Sequence, residues 1–329
     1  MKTFRWGFIG TGGIAKAFAK DLQFISGHKV AAVGSRSLET AQIFAGMYPG
    51  AIAYGNYEDL VADSTIDGVY VATPHPFHLS NTLLALNAGK PVLCEKPFAV
   101  TATEAKLMIE TAREKKLALL EAMWTRYLPH IQIVRQIIKD GVLGEILHVE
   151  ADHGQALHER NIPRINQPEL AGGSLLDLAV YPISFTHLVL GAPEKITASG
   201  TFTPEGVDAQ TSAIFDYASG AQALITANMM VKTPCRAVIA GTLGRLEIDR
   251  TFYNPANMRV IMKADESVTE YPRNYEGHGL REQAIEFARI VEASLSESPL
   301  LRWDETISVM QSIDEIRSQI GLKFPFESN

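Results

Sequence analysis

The chain has 329 residues, more than a single core usually holds, and its 46% hydrophobic and 20% charged residues are those of an ordinary globular protein with two domains. A formal net charge of −7 with no basic block argues against a nucleic-acid partner, and two cysteines, Cys94 and Cys235, are too few for a disulfide framework. MKTFRWGFIGTGG runs straight into a strand and a glycine turn, with no secretory segment, and no apolar run is expected to span a membrane, so a cytoplasmic enzyme without a membrane partner is expected.

Through the first 120 or so residues short apolar runs alternate with amphipathic segments. The runs are Phe4–Ile9, Val30–Gly34, Gly68–Ala72, Pro91–Leu93 and Leu117–Leu120. Helical patterns lie around Ile14–Phe24, Leu38–Tyr48, Tyr57–Ala62, Leu79–Ala88 and Thr103–Lys115. Strands alternating with helices predict a parallel sheet covered on both faces. A helix at Pro129–Lys139 stops at the breaker Asp140-Gly141. Beyond it, ILHVEADHG, EKITASGTF, TSAIFDYASG, AQALITANM and CRAVIAGTLGRLEIDR carry strand periodicity with turns between, which predicts an antiparallel or mixed sheet. One helix interrupts it around Ser174–Leu190, and two close the chain near Leu280–Leu295 and Asp304–Ile320. The expected domains are 1–122 and 123–329, with the final helices as candidates to pack back on the first.

FIGTGGIAKAF places Gly10, Thr11, Gly12, Gly13 and Ile14 between the first strand and a helix. Gly10-x-Gly12-x-x-Ala15 is the dinucleotide fingerprint with alanine at its third small position. Glycines permit the tight turn and the close approach of a pyrophosphate, and the helix N-terminus offers unpaired N–H groups and partial positive charge. The second long strand ends in VGSRS, with no carboxylate until Glu39 to accept from a ribose 2′-hydroxyl. Arg36 can meet a 2′-phosphate with charge-assisted hydrogen bonds and Ser35 can donate another, so NADP(H) is the expected cofactor and NAD(H) the alternative.

VLCEKPFA, residues 92–99, is an apolar strand that runs into a carboxylate, an ammonium and a proline. Proline cannot donate to a sheet ladder, and charge at a buried strand end costs free energy unless it is used. Together with VATPHPFH and the glycine turn, CEKP resembles the Gfo/Idh/MocA oxidoreductase family. EAMWTRYLP, GVLGEI, GGSLLDLAVYP and WDETISVMQSIDEIRSQIGLKFP extend the resemblance over essentially the whole chain, closest to the branch of dimeric dihydrodiol dehydrogenases and D-xylose:NADP dehydrogenases. The resemblance implies an α/β protein: an N-terminal Rossmann domain with a doubly wound parallel sheet, then an α/β domain with a large open, mainly antiparallel sheet. That open sheet often forms the subunit interface, so a homodimer or higher homo-oligomer is expected.

The resemblance places Lys96 beside the nicotinamide and the reacting carbon, and puts Thr73, Pro74, His78 and Glu95 along the cofactor. The helical motif G-G-G-x-L-x-D-x-G-x-His/Tyr aligns with Gly172, Gly173, Asp177 and Tyr181, with Ser174 and Ala179 where the pattern has glycine. Asp177 and Tyr181 are four apart and share a helix face. If that face meets the end of the strand carrying Lys96, the three converge. A phenol titrates near pH 10, and a nearby ammonium lowers that value, so Lys96 and Tyr181 are the candidate acid–base pair, with the proton carrier left open between them. Asp177 is a candidate to orient a substrate hydroxyl or to hold Lys96 charged.

Trp124, Arg126, His153 and His158 are candidates for the substrate pocket, with structural packing as the alternative for Trp124 and Arg126 and plain loop positions as the alternative for His153 and His158. For Arg126 a cofactor contact is also open. His75 and His78 flank Pro76 without a Cys or carboxylate cluster, so no metal is expected. The expected activity is an NADP-dependent dehydrogenase or reductase, moving a hydride between nicotinamide and a secondary alcohol or ketone of a cyclic polyol, sugar or trans-dihydrodiol. The rival reading is an NADP(H)-binding regulator on the same scaffold.

Overall fold

The computed structural model describes residues 3–327, which form two compact units. One runs to Tyr127 and takes in Glu276–Thr306, and the other comprises Leu128–Tyr275 and the chain from Ile307.

The first unit is built on strands β1 (Phe4–Ile9), β2 (His28–Gly34), β3 (Ile52–Tyr54), β4 (Gly68–Val71), β5 (Val92–Glu95) and β6 (Leu119–Ala122). Helices α1 (Gly13–Asp21), α2 (Leu38–Ala45), α3 (Tyr57–Ala62), α4 (His78–Asn87) and α5 (Ala102–Lys115) connect them. The sheet is parallel in the order β3-β2-β1-β4-β5-β6. Its order reverses between β1 and β4, and in open α/β sheets ligands bind beyond the strand ends at such a point. Phe8 of β1 faces Val33 on one side and Tyr70 on the other.

The strands are apolar without alternation because helices cover both faces. Trp6, Phe8, Phe18, Phe44 and Tyr70 are fully buried there, with Phe18 stacked on Tyr70 at 4.2 Å. The helix Arg281–Glu292 belongs to this unit, and its Phe287 ring lies 5.2 Å from Trp6. The Asp21 carboxylate secures the approach to that helix by accepting the N–H groups of His278, Gly279 and Leu280 at 3.1, 2.8 and 2.8 Å. β3, three residues long at the sheet edge and largely unburied, is a strand not among the expected ones.

The second unit contains α6 (Pro129–Lys139), β7 (Ile146–Gly154), α7 (Pro163–Asn166) and α8 (Val180–Leu190). Strands β8 (Lys195–Phe202), β9 (Asp208–Asp216), β10 (Gln222–Asn228), β11 (Ala237–Gly241), β12 (Gly244–Ile248), β13 (Met258–Met262) and β14 (Val268–Tyr271) follow. The eight-stranded sheet runs β14-β13-β12-β11-β7-β10-β9-β8, antiparallel except for the β7–β10 pair. One face is covered by α8, whose residues Val180–His187 are all buried, so β9 and β10 alternate buried and exposed residues as a half-covered sheet requires.

The helix expected over Ser174–Leu190 is two structures in series. Leu175–Ala179 is a π turn, with Val180 N–H bonded to Leu175 O across five residues, and α8 continues from it. The stretch Pro168–Leu190 is, at 23 residues, long and apolar enough to cross a membrane, which corrects the expectation that no segment reaches that length. Asp177, Tyr181 and His187 interrupt it as an apolar run, and 83% of its most apolar window is buried.

Candidate active site

In the first unit the glycine turn divides its labour. Gly10 sits at φ +104°, and a Cβ there would lie 2.7 Å from Ala72 O, so only glycine brings β1 this close to the end of β4. Gly12 precedes α1 with no side-chain cap, α1 has no acid in its first turn, and a Cβ at Gly12 or Gly13 would meet nothing within 4 Å. Ala15 is fully buried against the sheet. An open, uncapped helix start of nine residues without negative charge fits a pyrophosphate. At the end of β2, Ser35 N–H bonds Tyr54 O at 3.1 Å and Ser35 Oγ accepts from Ser37 N–H at 3.3 Å, which leaves the hydroxyl proton available to a ligand. Arg36 is exposed. These residues fit a nucleotide with a 2′-phosphate.

The strand-end charges of β5 are held in place. Tyr70 OH donates to the buried Glu95 carboxylate, whose Oε2 accepts from Lys96 N–H at 3.3 Å. The Lys96–Pro97 bond is cis, and Lys96 is half-buried. His78 has no exposed surface: its Nε2 lies 2.8 Å from Thr73 O and its Nδ1 2.8 Å from Pro97 O. Burial holds its pKa below the usual histidine value, the Lys96 charge acts the same way, and the carbonyls oppose them. His78, expected along the cofactor, ties the Thr73 turn to the Lys96–Pro97 turn. Asn81 Nδ2 donates to Thr73 Oγ1 at 3.1 Å and completes that brace.

Trp124, Arg126 and Tyr127 form a buried turn after β6. Trp124 packs its ring 5.3 Å from that of His278, and the 1%-exposed Arg126 is ion-paired with Glu305. The Arg126 charge therefore has a partner within its own unit. Behind it Glu121 accepts from Thr306 Oγ1 at 2.9 Å, and burial pushes its carboxyl up to about 7 against the pull of Thr306 and Arg126. Cys94 is fully buried, which raises its thiol pKa and leaves it inert.

In the second unit the motif residues gather around the π turn. Asp177 is buried, and Arg164 of α7 donates from Nη1 to its Oδ1 at 2.7 Å. This ion pair was not expected from the sequence. His153, buried on β7, lies with Nδ1 3.1 Å from Leu178 O and Nε2 2.8 Å from Gln155 Nε2. A ring that donates to a carbonyl and accepts from an amide is the neutral Nδ1–H tautomer. Its ring is 5.2 Å from Tyr181 and 4.1 Å from Tyr253, and Tyr181 and Tyr253 are 4.8 Å apart. Gln155 also donates to Tyr253 Oη at 2.9 Å. Burial, then the neighbouring Tyr181, Cys235 and Asp177, raise the Tyr253 pKa, so Tyr253 stays a phenol. His158 is half-buried in a separate turn, where its carbonyl accepts from Asn166 Nδ2 at 2.9 Å.

Arg164, Gln155 and Tyr253 are thus the members that sequence reasoning missed. PRIN and FYNP carry no local signal for them, and the contacts span 13 residues for Arg164–Asp177 and 98 for Gln155–Tyr253. Among the described residues no group of three or more His, Cys, Asp or Glu is arranged to hold a metal.

Comparison with known proteins identifies the family. Residues 4–122 match the model described as "Oxidoreductase family, NAD-binding Rossmann fold", and residues 131–247 match "GFO/IDH/MocA C-terminal domain". The chain is 37% identical to a D-xylose 1-dehydrogenase (NADP(+)) of Hypocrea jecorina, over 98% of this chain and 93% of that one. It is 34% identical to a trans-1,2-dihydrobenzene-1,2-diol dehydrogenase of Sus scrofa, over 98% of each. Among solved structures, a 3-ketoreductase from Actinomadura kijaniata in complex with NADP and TDP-benzene superimposes with a TM-score of 0.86 at 26% identity, over 97% of this chain and 98% of that one.

Proposed function

The chain belongs to the GFO/IDH/MocA oxidoreductase family, and from that premise we propose that it is an NADP-dependent dehydrogenase or reductase of a cyclic polyol, sugar or trans-dihydrodiol. The observation that carries the reading is the cluster of buried Asp177, Tyr181 and His153 with half-buried Tyr253 around one π turn. Polar and titratable groups are rarely gathered away from water in this way, and such clusters concentrate at functional sites.

Bound NADP(H) supplies the hydride. The protein supplies the proton path and the grip on the alcohol. Tyr253 stays neutral and His153 is fixed as a neutral donor to Leu178 O, so Tyr181 is the group of this cluster that carries the substrate proton. Lys96, held by the Glu95–Tyr70 and His78 braces, supplies positive charge that favours the developing alkoxide. Asp177, charge-paired with Arg164, accepts from a neighbouring substrate hydroxyl. Gly10, Thr11, Gly12, Gly13 and Ile14 cradle the pyrophosphate, Ser35 and Arg36 take the 2′-phosphate, and Thr73, Pro74 and Glu95 shape the crevice. Trp124, His153 and His158 remain candidates to line the substrate pocket.

Residues 1–122 serve the cofactor in this reading, and 123–329 serve the substrate and the subunit contact of a cytoplasmic dimer. Supporting the dimer, the uncovered face of the large sheet carries Ile214 opposite Leu224, 41% and 37% exposed. A turnover screen with NADP+ and NADPH over aldoses, inositols, anhydro-sugars and dihydrodiols tests the reading. Tyr181→Phe and Lys96→Met should each lower kcat by about 10²- to 10⁴-fold while NADPH still binds. Near wild-type rates in both variants would overturn the mechanism.

A further inference from the structure

The helix that carries Asp177 and Tyr181 begins against a carboxylate from elsewhere in the chain. Asp208, the first residue of β9, is fully buried. Its Oδ2 accepts from Ser174 Oγ at 2.7 Å, from Leu175 N–H at 2.7 Å and from Thr211 Oγ1 at 3.0 Å. Gly173 makes room for it: φ there is +114°, and a Cβ would fall 2.0 Å from Asp208 Oδ1. Leu175 is the first residue of the π turn, so the N–H that Asp208 captures is one that no helical carbonyl can take. A carboxylate at a helix start also interacts favourably with the helix dipole.

A π turn holds one more residue than an α turn and persists where its surroundings fix it. Relaxation to α geometry would rotate the residues on either side by about 100° relative to each other, the angle of one residue in a helix of 3.6 per turn. Because α8 is held against β7 and β10, that rotation would fall on Leu175–Ala179. It would break the Arg164–Asp177 pair and the His153–Leu178 contact. Ser174 stands where the family pattern has glycine, so this chain contributes a hydroxyl donor that the pattern lacks.

We propose that Asp208 and Ser174 form a tertiary cap that sets the π register and so presents Asp177, on the π turn, in its catalytic orientation relative to Tyr181 at the start of α8. Both are positioning residues, and the inference rests on the proton-carrying role of Tyr181. All three donors go to Oδ2, so Asp208→Asn keeps them with its carbonyl oxygen in that place, whereas Asp208→Ala loses all three.

The test measures kcat, KM and NADPH affinity for Asp208→Ala, Asp208→Asn and Ser174→Ala below their melting temperatures. Asp208→Ala should lower kcat about thirtyfold or more with NADPH affinity within about twofold, Asp208→Asn should restore kcat to within about threefold, and Ser174→Ala should fall between. Loss of thermal stability alone with kcat intact, or failure of asparagine to restore kcat, would overturn the cap. If Asp208→Ala does not fold, Ser174→Ala, which keeps two of the three bonds, decides: unchanged kcat overturns the proposal. If wild type turns over no substrate, the reading of Tyr181 fails separately, and hydrogen exchange in Ser174→Ala still judges the cap. Faster exchange confined to Leu175–Ala179 supports it, and unchanged exchange there refutes it.

Discussion

Two glycine turns open two helices in this protein, and they treat the free N–H groups of those helices in opposite ways. At Gly10–Gly13 the start of α1 is left without a side-chain cap, without acid and with open space around Gly12 and Gly13. At Gly172–Gly173 the start of the π turn is filled by the Asp208 carboxylate, with Ser174 and Thr211 on the same oxygen. The same composition therefore serves two ends. An unfilled helix start keeps its positive end for an anionic ligand, and a filled one becomes a rigid mount for the side chains that follow.

Exchanging the two treatments tests the contrast. The largest effect is expected from Gly173→Ala, which combines a positive φ with a Cβ driven into Asp208. Chemical denaturation should show a loss of upwards of about 3 kcal/mol, from the backbone strain and overpacking together. Gly12→Asp makes the opposite move and gives α1 the carboxylate that the second turn has. At φ −68° with nothing within 4 Å, the new side chain is accommodated. The melting temperature should hold or rise slightly, since a cap contributes up to about 1 kcal/mol, while NADPH affinity in a fluorescence titration falls about tenfold to a hundredfold. A Gly12→Asp protein that binds NADPH normally would break the comparison. The smallest effect is expected from Arg36→Asp at the exposed end of β2, which should weaken NADPH by about tenfold and leave NADH nearly untouched. An unchanged preference between the two would remove Arg36 from the cofactor reading.

The first turn was legible because everything that defines it is adjacent in the chain: a strand, three glycines, a small residue and a helix within a dozen positions. VLCEKPFA was legible for the same reason, as a charge placed where a buried strand should not have one. What the sequence did not disclose was how those charges are kept. His78, in line with the cofactor motif, turns inward onto Thr73 and Pro97. Arg126, a plausible ligand contact by position, is already committed to Glu305. Pro97 lies 19 residues from His78 and Glu305 far beyond Arg126, and no local pattern announces either contact.

The helix after Gly173 marks the boundary most clearly. Its apolar content, its Asp177–Tyr181 spacing and its place after two glycines are properties of consecutive residues, and periodicity and backbone sterics determine them. Its first turn is π rather than α, and Asp177 faces Arg164, because Asp208 reaches back across 34 residues to Ser174 and β7 supplies His153. Hydrogen bonds between distant segments exist only once the sheet has paired its strands. The sequence by itself thus determined which residues could do the chemistry, and the tertiary structure decided the orientation in which each is held.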